Sequence, residues 1–153
     1  MSFKNISRMF AKIKKAVNDE GLVRQVAEEA KDSVVKRTRE GKGVQDTGDA
    51  PRRLRGLKDK TVKNRRGLKR KGQLSRNTSP RKSNLTASGE MLDDVEVLKS
   101  SRKSATIGFK KEKNRTKATN VQRQGRNFFD LSSDEVEDIV KSIESAIKKS
   151  INN

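Results

Sequence analysis

Between positions 41 and 85 the chain carries 15 basic residues against 3 acidic ones, a net +12 out of a total of +18. Two-thirds of the excess charge is thus packed into less than a third of the 153 residues, together with six of the ten glycines and both prolines. A segment this cationic repels itself and has too few apolar side chains to collapse into a core. It reads as a long basic arm, typified by the stretch Gly67-Leu68-Lys69-Arg70-Lys71-Gly72, so the core must come from its flanks.

The flanks have foldable patterns. Residues 1–40 carry 10 basic and 6 acidic side chains, and residues 86–153 carry 13 and 11. In the first flank Phe3, Ile6, Phe10, Ile13 and Val17 recur at helical spacing, and Asn18-Asp19-Glu20-Gly21 interrupts them. A second stripe follows at Val23, Val26, Ala27, Ala30 and Val34 and stops at Gly41, the residue type expected just past a helix end. One bent helix or two satisfies this pattern, with two favoured.

The last flank ends in a helix announced by several signals at once. Ser132 and Glu135 make a capping box, and Leu131 with Val136 makes a hydrophobic staple. Acidic residues crowd the first turn and Lys148 and Lys149 the last, as the helix dipole favours. Val136, Ile139, Val140, Ile143, Ile147 and Ile151 form its apolar face. Ahead of it, Val95 and Val97, then Ala105, Ile107 and Phe109, alternate with polar residues around a turn at Ser100–Lys103, which predicts a hairpin. "LTASGEMLDD" reads as a short helical turn capped by Ser88 or Thr86, and residues 115–124 as a short polar helix ended by Gly125. Two strands alone are marginal, so helices must cover the sheet or a neighbouring subunit must extend it. The expected fold is α+β and a single domain over 1–153: N-terminal helices and a C-terminal helix on a small antiparallel sheet, with the basic arm at about 41–85.

Several function classes fall away. With no cysteine and no histidine, the chain has no disulfide, no thiolate or imidazole metal site, and no histidine-based nucleophile or general base. Asp93, Asp94 and Glu96 suggest a carboxylate cluster, but solvated positions at a strand start account for them. "GKGVQDTG" lacks the spacing of a phosphate-binding loop and follows no apolar strand. No apolar run reaches the roughly 20 residues of a membrane span, and "MSFKNISRMFAKIKKAV" lacks the apolar core of a secretory signal. The Asn-x-Ser/Thr triplets at Asn5, Asn77, Asn84 and Asn114 are then coincidental. The expectation is a soluble product assembled inside a cell, without enzymatic activity, cofactor or metal.

The arm supplies the candidate contact residues: Arg52, Arg53, Arg55, Lys58, Lys60, Lys63, Arg65, Arg66, Lys69, Arg70 and Lys71. They could neutralise phosphates without reading sequence, and "SPRK" at 79–82 resembles basic minor-groove tails. All five aromatics are phenylalanines outside the arm, which argues against stacking on single-stranded bases. An acidic protein surface is the equal alternative, and plain solvation the third. A short helix over 57–66 fits Leu57, Thr61 and Val62, while Leu68, Leu74 and Leu85 stand alone like anchors for a partner surface. Phe128 and Phe129 face opposite sides if the chain is extended. Either a bend brings both into the core, or one is an anchor at a subunit interface.

The order of these parts resembles the tail-completion or head–tail joining proteins of tailed bacteriophages, similar to the phage virion-morphogenesis families. The resemblance rests on "LTASGEML" (Leu85–Leu92) and "GRNFFDLS" (Gly125–Ser132) before a final helix, with "RTREGKGV" and "LKDKTVKNRRG" ahead of them and "ATIGF" in between. It implies a structural virion protein of the neck, assembled in the host cytoplasm. Such a subunit forms a ring, commonly six-fold, between the portal or connector and the tail tube or tail terminator. DNA passes through such a ring, so the arm would touch either packaged DNA or acidic connector loops. The arm is unusually basic for that family, and no catalytic residue is carried over. A sequence-nonspecific DNA-binding protein is the alternative.

Overall fold

The computed structural model describes residues 20–44 and 50–151, with the side chains of 146–151 left out of the description. The stripe from Phe3 to Val17, the second half of "GKGVQDTG", and the side chains of Ile147 and Ile151 lie outside it. The element order is α1 (Glu20–Arg39), β1 (Lys42–Gly43), β2 (Arg52–Arg53), α2 (Asp59–Arg70), α3 (Glu90–Asp93), β3 (Val95–Ser100), β4 (Ala105–Phe109), α4 (Glu112–Arg123) and α5 (Ser133–Ile151). Among the described residues two antiparallel two-stranded sheets, β1–β2 and β3–β4, sit with five helices, so the fold is α+β.

Helix α1 is the central element, packing on the β3–β4 hairpin and on α5. Its stripe Val23, Val26, Ala27, Ala30 and Val34 is wholly buried. It ends where glycine permits: Gly41 takes φ +86° and its N–H bonds Thr38 O at 2.9 Å. In the hairpin Val95 pairs with Phe109 and Val97 with Ile107, and the register slips between Val97 and Lys99. That bulge leaves Leu98 exposed on the outer face, across Gly108.

The capping box of α5 is formed as the sequence predicts. Ser132 N–H donates to Glu135 Oε2 at 2.8 Å, and Glu135 N–H returns to Ser132 Oγ at 3.3 Å. Helix α3 departs from expectation, because Gly89 at φ +82° occupies the N-cap and no side chain caps it. Thr86 is buried and Ser88 is exposed, so neither serves.

Both phenylalanines of the Phe128-Phe129 pair are interior, at 0% and 3% exposure. The chain bends there: Arg37 Nη2 donates to the carbonyls of Phe128 and Asp130, each at 2.7 Å, turning both rings inward. Phe129 stacks on Phe109 with centroids 5.0 Å apart. Fully burying a side chain of this size is worth about 1.5–3 kcal/mol. Neither ring is therefore available as an anchor for another subunit, which corrects that assignment for both. Arg37 itself is buried, and its Nη1 meets Glu135. Burial pushes the Arg37 guanidinium below its ordinary value, and the charge of Glu135 partly opposes this.

The arm is more folded than its composition suggests. Its base is strapped to the core: Gly43 pairs with Arg52, Val44 N–H bonds Asn127 O at 2.8 Å, and Leu54 N–H bonds Gly41 O at 2.8 Å. A Cβ at Gly43 would collide with Asn127 O and Leu54 Cδ2, so this close approach demands glycine. Leu54 joins the hydrophobic core. At the far end Asn84 is fully buried, its amide donating to Arg39 O at 3.1 Å and Asn77 O at 3.3 Å and accepting from Thr78 at 2.7 Å. The described part of the span, 41–44 and 50–85, is thus tied down at both ends and is not an extended arm. Polar bonds to backbone carbonyls replace the apolar burial that it lacks.

Candidate docking surface

Helix α2 dominates the exposed part of the loop. The sequence suggested 57–66; the helix instead begins at Asp59, runs through Gly67 and ends at Arg70. Gly72, at φ +67°, lets the chain turn away, and Gln73 N–H bonds Leu68 O at 2.9 Å. Most of "GLKRKG" is therefore the last turn of a helix. Asp59 at its start and Lys69 and Arg70 at its end suit the dipole.

The only buried residue of α2 is an arginine. Arg65 points inward and donates from Nη1 to Lys82 O at 2.7 Å, so it belongs to the fold and not to the contact surface, a correction to its assignment. Burial lowers its pKa from the usual guanidinium range, and the charge of Arg126 adds to this. Arg126, which lies within "GRNFFDLS", is the second fastener. Its Nε donates to Arg55 O at 3.2 Å and its Nη2 to Gly56 O at 3.0 Å, while Ser83 Oγ donates to Arg55 O at 2.6 Å. No periodicity marks Arg126, so nothing in the residue pattern predicted that role.

The other cations face outward. Arg53, Arg55, Lys58, Lys63, Arg66, Lys69, Arg70 and Lys71 are exposed, as are Arg52 and Lys60. Among the described residues, no carboxylate lies within ion-pair distance of Lys58, Lys60, Lys63, Arg66, Lys69, Arg70 or Lys71. At 100° per residue Asp59, Lys63, Arg66 and Arg70 fall along one stripe of the helix. Leu57, Leu68 and Leu74 are half-buried, each with apolar surface still open.

Part of this stripe borders a groove of about 510 Å³ lined by Gly56, Leu57, Asp59, Val62, Lys63, Arg66 and Arg81. Leu57 and Val62 give it an apolar floor, and three cations outnumber the single carboxylate of Asp59. Arg81 joins Lys63 and Arg66 there although 15 residues separate it from Arg66. The basic run "SPRK" was its only signal in the sequence. A second groove, of about 680 Å³, lies along α1 between Asp32, Lys36, Arg39, Glu40, Asn77 and Lys82, and its charges are mixed.

The carboxylates near the hairpin are accounted for by the fold. Burial raises the pKa of Asp94, but hydrogen bonds from Asn114 Nδ2 and Lys111 N–H, both 2.9 Å, and the Lys111 charge outweigh it and hold the group below its ordinary value. Glu90 is held low by its hydrogen bond from Lys113 and by the charges of Lys113, Lys117 and Lys111. Among the described residues no group of His, Cys, Asp or Glu could hold a metal ion, and no helix is long and apolar enough to cross a membrane. Comparison with protein-family models, with curated proteins and with solved structures finds no match.

Proposed function

We propose that this chain is a structural subunit of a tailed-bacteriophage neck. It forms a ring, of six-fold symmetry, that joins the portal or connector of the filled head to the tail tube or tail terminator. The observation that carries this reading is α2, a cationic helix held away from the core, whose charges the described fold leaves unneutralised. Such a surface suits docking in an assembly. The motifs behind the resemblance support it from the other side. "LTASGEML" supplies the left-handed Leu85 and Gly89 and the buried Met91 and Leu92, and "GRNFFDLS" supplies the Arg126 fastener, both core phenylalanines and the cap of α5. In this reading the subunit does no chemistry; it is assembled in the host cytoplasm and resides in the virion.

The stripe of Lys63, Arg66 and Arg70 favours a second reading, nonspecific contact with duplex DNA, either packaged or free. Charge reversal separates the two, and it leaves Leu54 and the Arg65 tie intact where deletion would not. With Lys63→Glu, Arg66→Glu and Arg70→Glu together, filled heads and complete tails should both accumulate while joined particles fall about a hundredfold, a loss of near 2.7 kcal/mol in docking. Joined particles at normal yield would overturn the neck reading of this surface. Tight duplex binding by the purified subunit with a steep salt slope would favour the second reading.

A further inference from the structure

We propose that the α2 groove receives the acidic face of α5 from a second copy of the chain, so that subunits associate head to tail. This rests on the ring reading and names the contact that would build it. Helix α5 presents the complement that the groove lacks. Over its residues 133–145, Asp134, Glu137, Asp138 and Glu144 are exposed against one cation, Lys141, which pairs with Glu137 at 2.8 Å; Lys148 and Lys149 follow in the last turn. Among the described residues Asp134, Asp138 and Glu144 have no ion-pair partner. Asp134 and Asp138 are one turn apart on α5, as Lys63 and Arg66 are on α2, so two carboxylates meet two cations at matching pitch.

The two surfaces belong to different elements, so the contact is not self-complementary. It leaves a groove free on one copy and an acidic helix free on the other, and it therefore propagates into a ring where the rotation closes. The net +18 of each subunit opposes association at long range. At about 0.15 M salt the screening length is about 8 Å, so that repulsion fades across the subunit while charges in direct contact still attract.

The chain has no cysteine, which makes a thiol cross-link selective. Full-length Lys63→Cys protein mixed with full-length Asp138→Cys protein and a short bis-maleimide should give a mixed covalent dimer, and each variant alone about tenfold less product. A single chain carrying both substitutions should give a ladder extending beyond the dimer. Adding Arg66→Glu to the first partner should cut the mixed product about tenfold, and Asp134→Arg in the second should restore it. All substituted positions are exposed, and circular dichroism checks that the fold is kept. Rings visible by electron microscopy without the 63–138 cross-link would sink this inference and leave the ring reading standing. A mixed cross-link that never passes the dimer would keep the contact and sink the ring. A short random-sequence duplex that shields the thiol at position 63, where a second copy does not, would overturn the proposal in favour of nucleic acid.

Discussion

Helices α2 and α4 are each twelve residues long, each starts with a single acidic residue, and each reads as basic, yet the fold treats them in opposite ways. Helix α4 seats Ala118 and Asn114 in the interior and ties Asn114 to Asp94. Its lysines gather around one carboxylate: Glu90 lies within ion-pair reach of Lys111, Lys113 and Lys117, and Glu112 pairs with Arg115. Helix α2 seats only Arg65, on one carbonyl, and among the described residues no acid answers its remaining cations. Equal length and similar composition thus give one helix whose charges are answered within the chain and one whose charges, among the described residues, are not. What separates them is where the carboxylates of other elements fall: α3 brings Glu90 to α4, and among the described residues nothing comparable reaches α2.

The largest expected effect tests the closed side. Asp94→Ala leaves the buried amide of Asn114 and the N–H of Lys111 without their acceptor, at a cost of about 1–3 kcal/mol. For a chain of this size that lowers the melting temperature by about 2–4 °C per kcal/mol, read by calorimetry. On the open side Arg65→Met should release α2 locally. Amide exchange over 59–70 should accelerate about tenfold or more while exchange over 112–123 stays unchanged, because a hydrogen bond from a charged donor is worth about 1.5–3 kcal/mol. Equal exchange in α2 and α4 of the unaltered protein would already break the comparison.

How far the sequence discloses this difference follows from which forces hold each part. Apolar period and cap chemistry are local, and they disclose α1 from Val23 to Gly41, the alternation of β3 and β4, and α5 with its Ser132–Glu135 box. The loop over 41–85 is held by single polar residues reaching distant carbonyls: Asn84 to Arg39, Arg65 to Lys82, Arg126 to Arg55 and Gly56. Such bonds have no period, so the span looked extended and Arg65 looked like one more surface cation. The Phe128-Phe129 bend was one of two readings left open for the same reason, since what decides it is Arg37, some 90 residues away. The cationic candidates were legible as a set; their division into fasteners and free charges was not.

A salt titration gives a smaller but sharper effect. Binding to a generic polyanion such as a random duplex should lose about 1.8 from the slope of log K against log salt when Lys63 and Arg66 are replaced by glutamine, at about 0.9 per cation that met a phosphate. Replacing Lys113 and Lys117 by glutamine should leave the slope nearly unchanged, because Glu90 already holds them. Glu90→Gln should make the two helices more alike by freeing three lysines and steepening the slope. If the α4 lysines contribute as much as those of α2 in the unaltered protein, the pairing with Glu90 is not maintained in solution.

The smallest effect is in the response to acid, and its sign follows from the direction of the shifts. Glu90 and Asp94 both have pKa values below their ordinary ones in the folded chain. Their contribution is therefore fully present above the ordinary carboxylate range, near pH 4, and is lost as pH falls through the folded values. Asp130 is shifted the other way: burial raises it, against the bond from Leu131 N–H and the charge of Arg37, so folding is eased slightly when it is protonated. Between neutral pH and about pH 5 the anchorage of α4 should accordingly stay constant. Below that, amide protection over 112–123 should fall toward the level of α2, as Glu90 and Asp94 take up protons and release the lysines and Asn114. Helix α2, whose tie is an arginine on a backbone carbonyl, has no proton to gain there. Acid therefore abolishes the contrast from one side only, and loss of protection in α2 at the same pH and to the same extent would mean that the two helices are held by a common network.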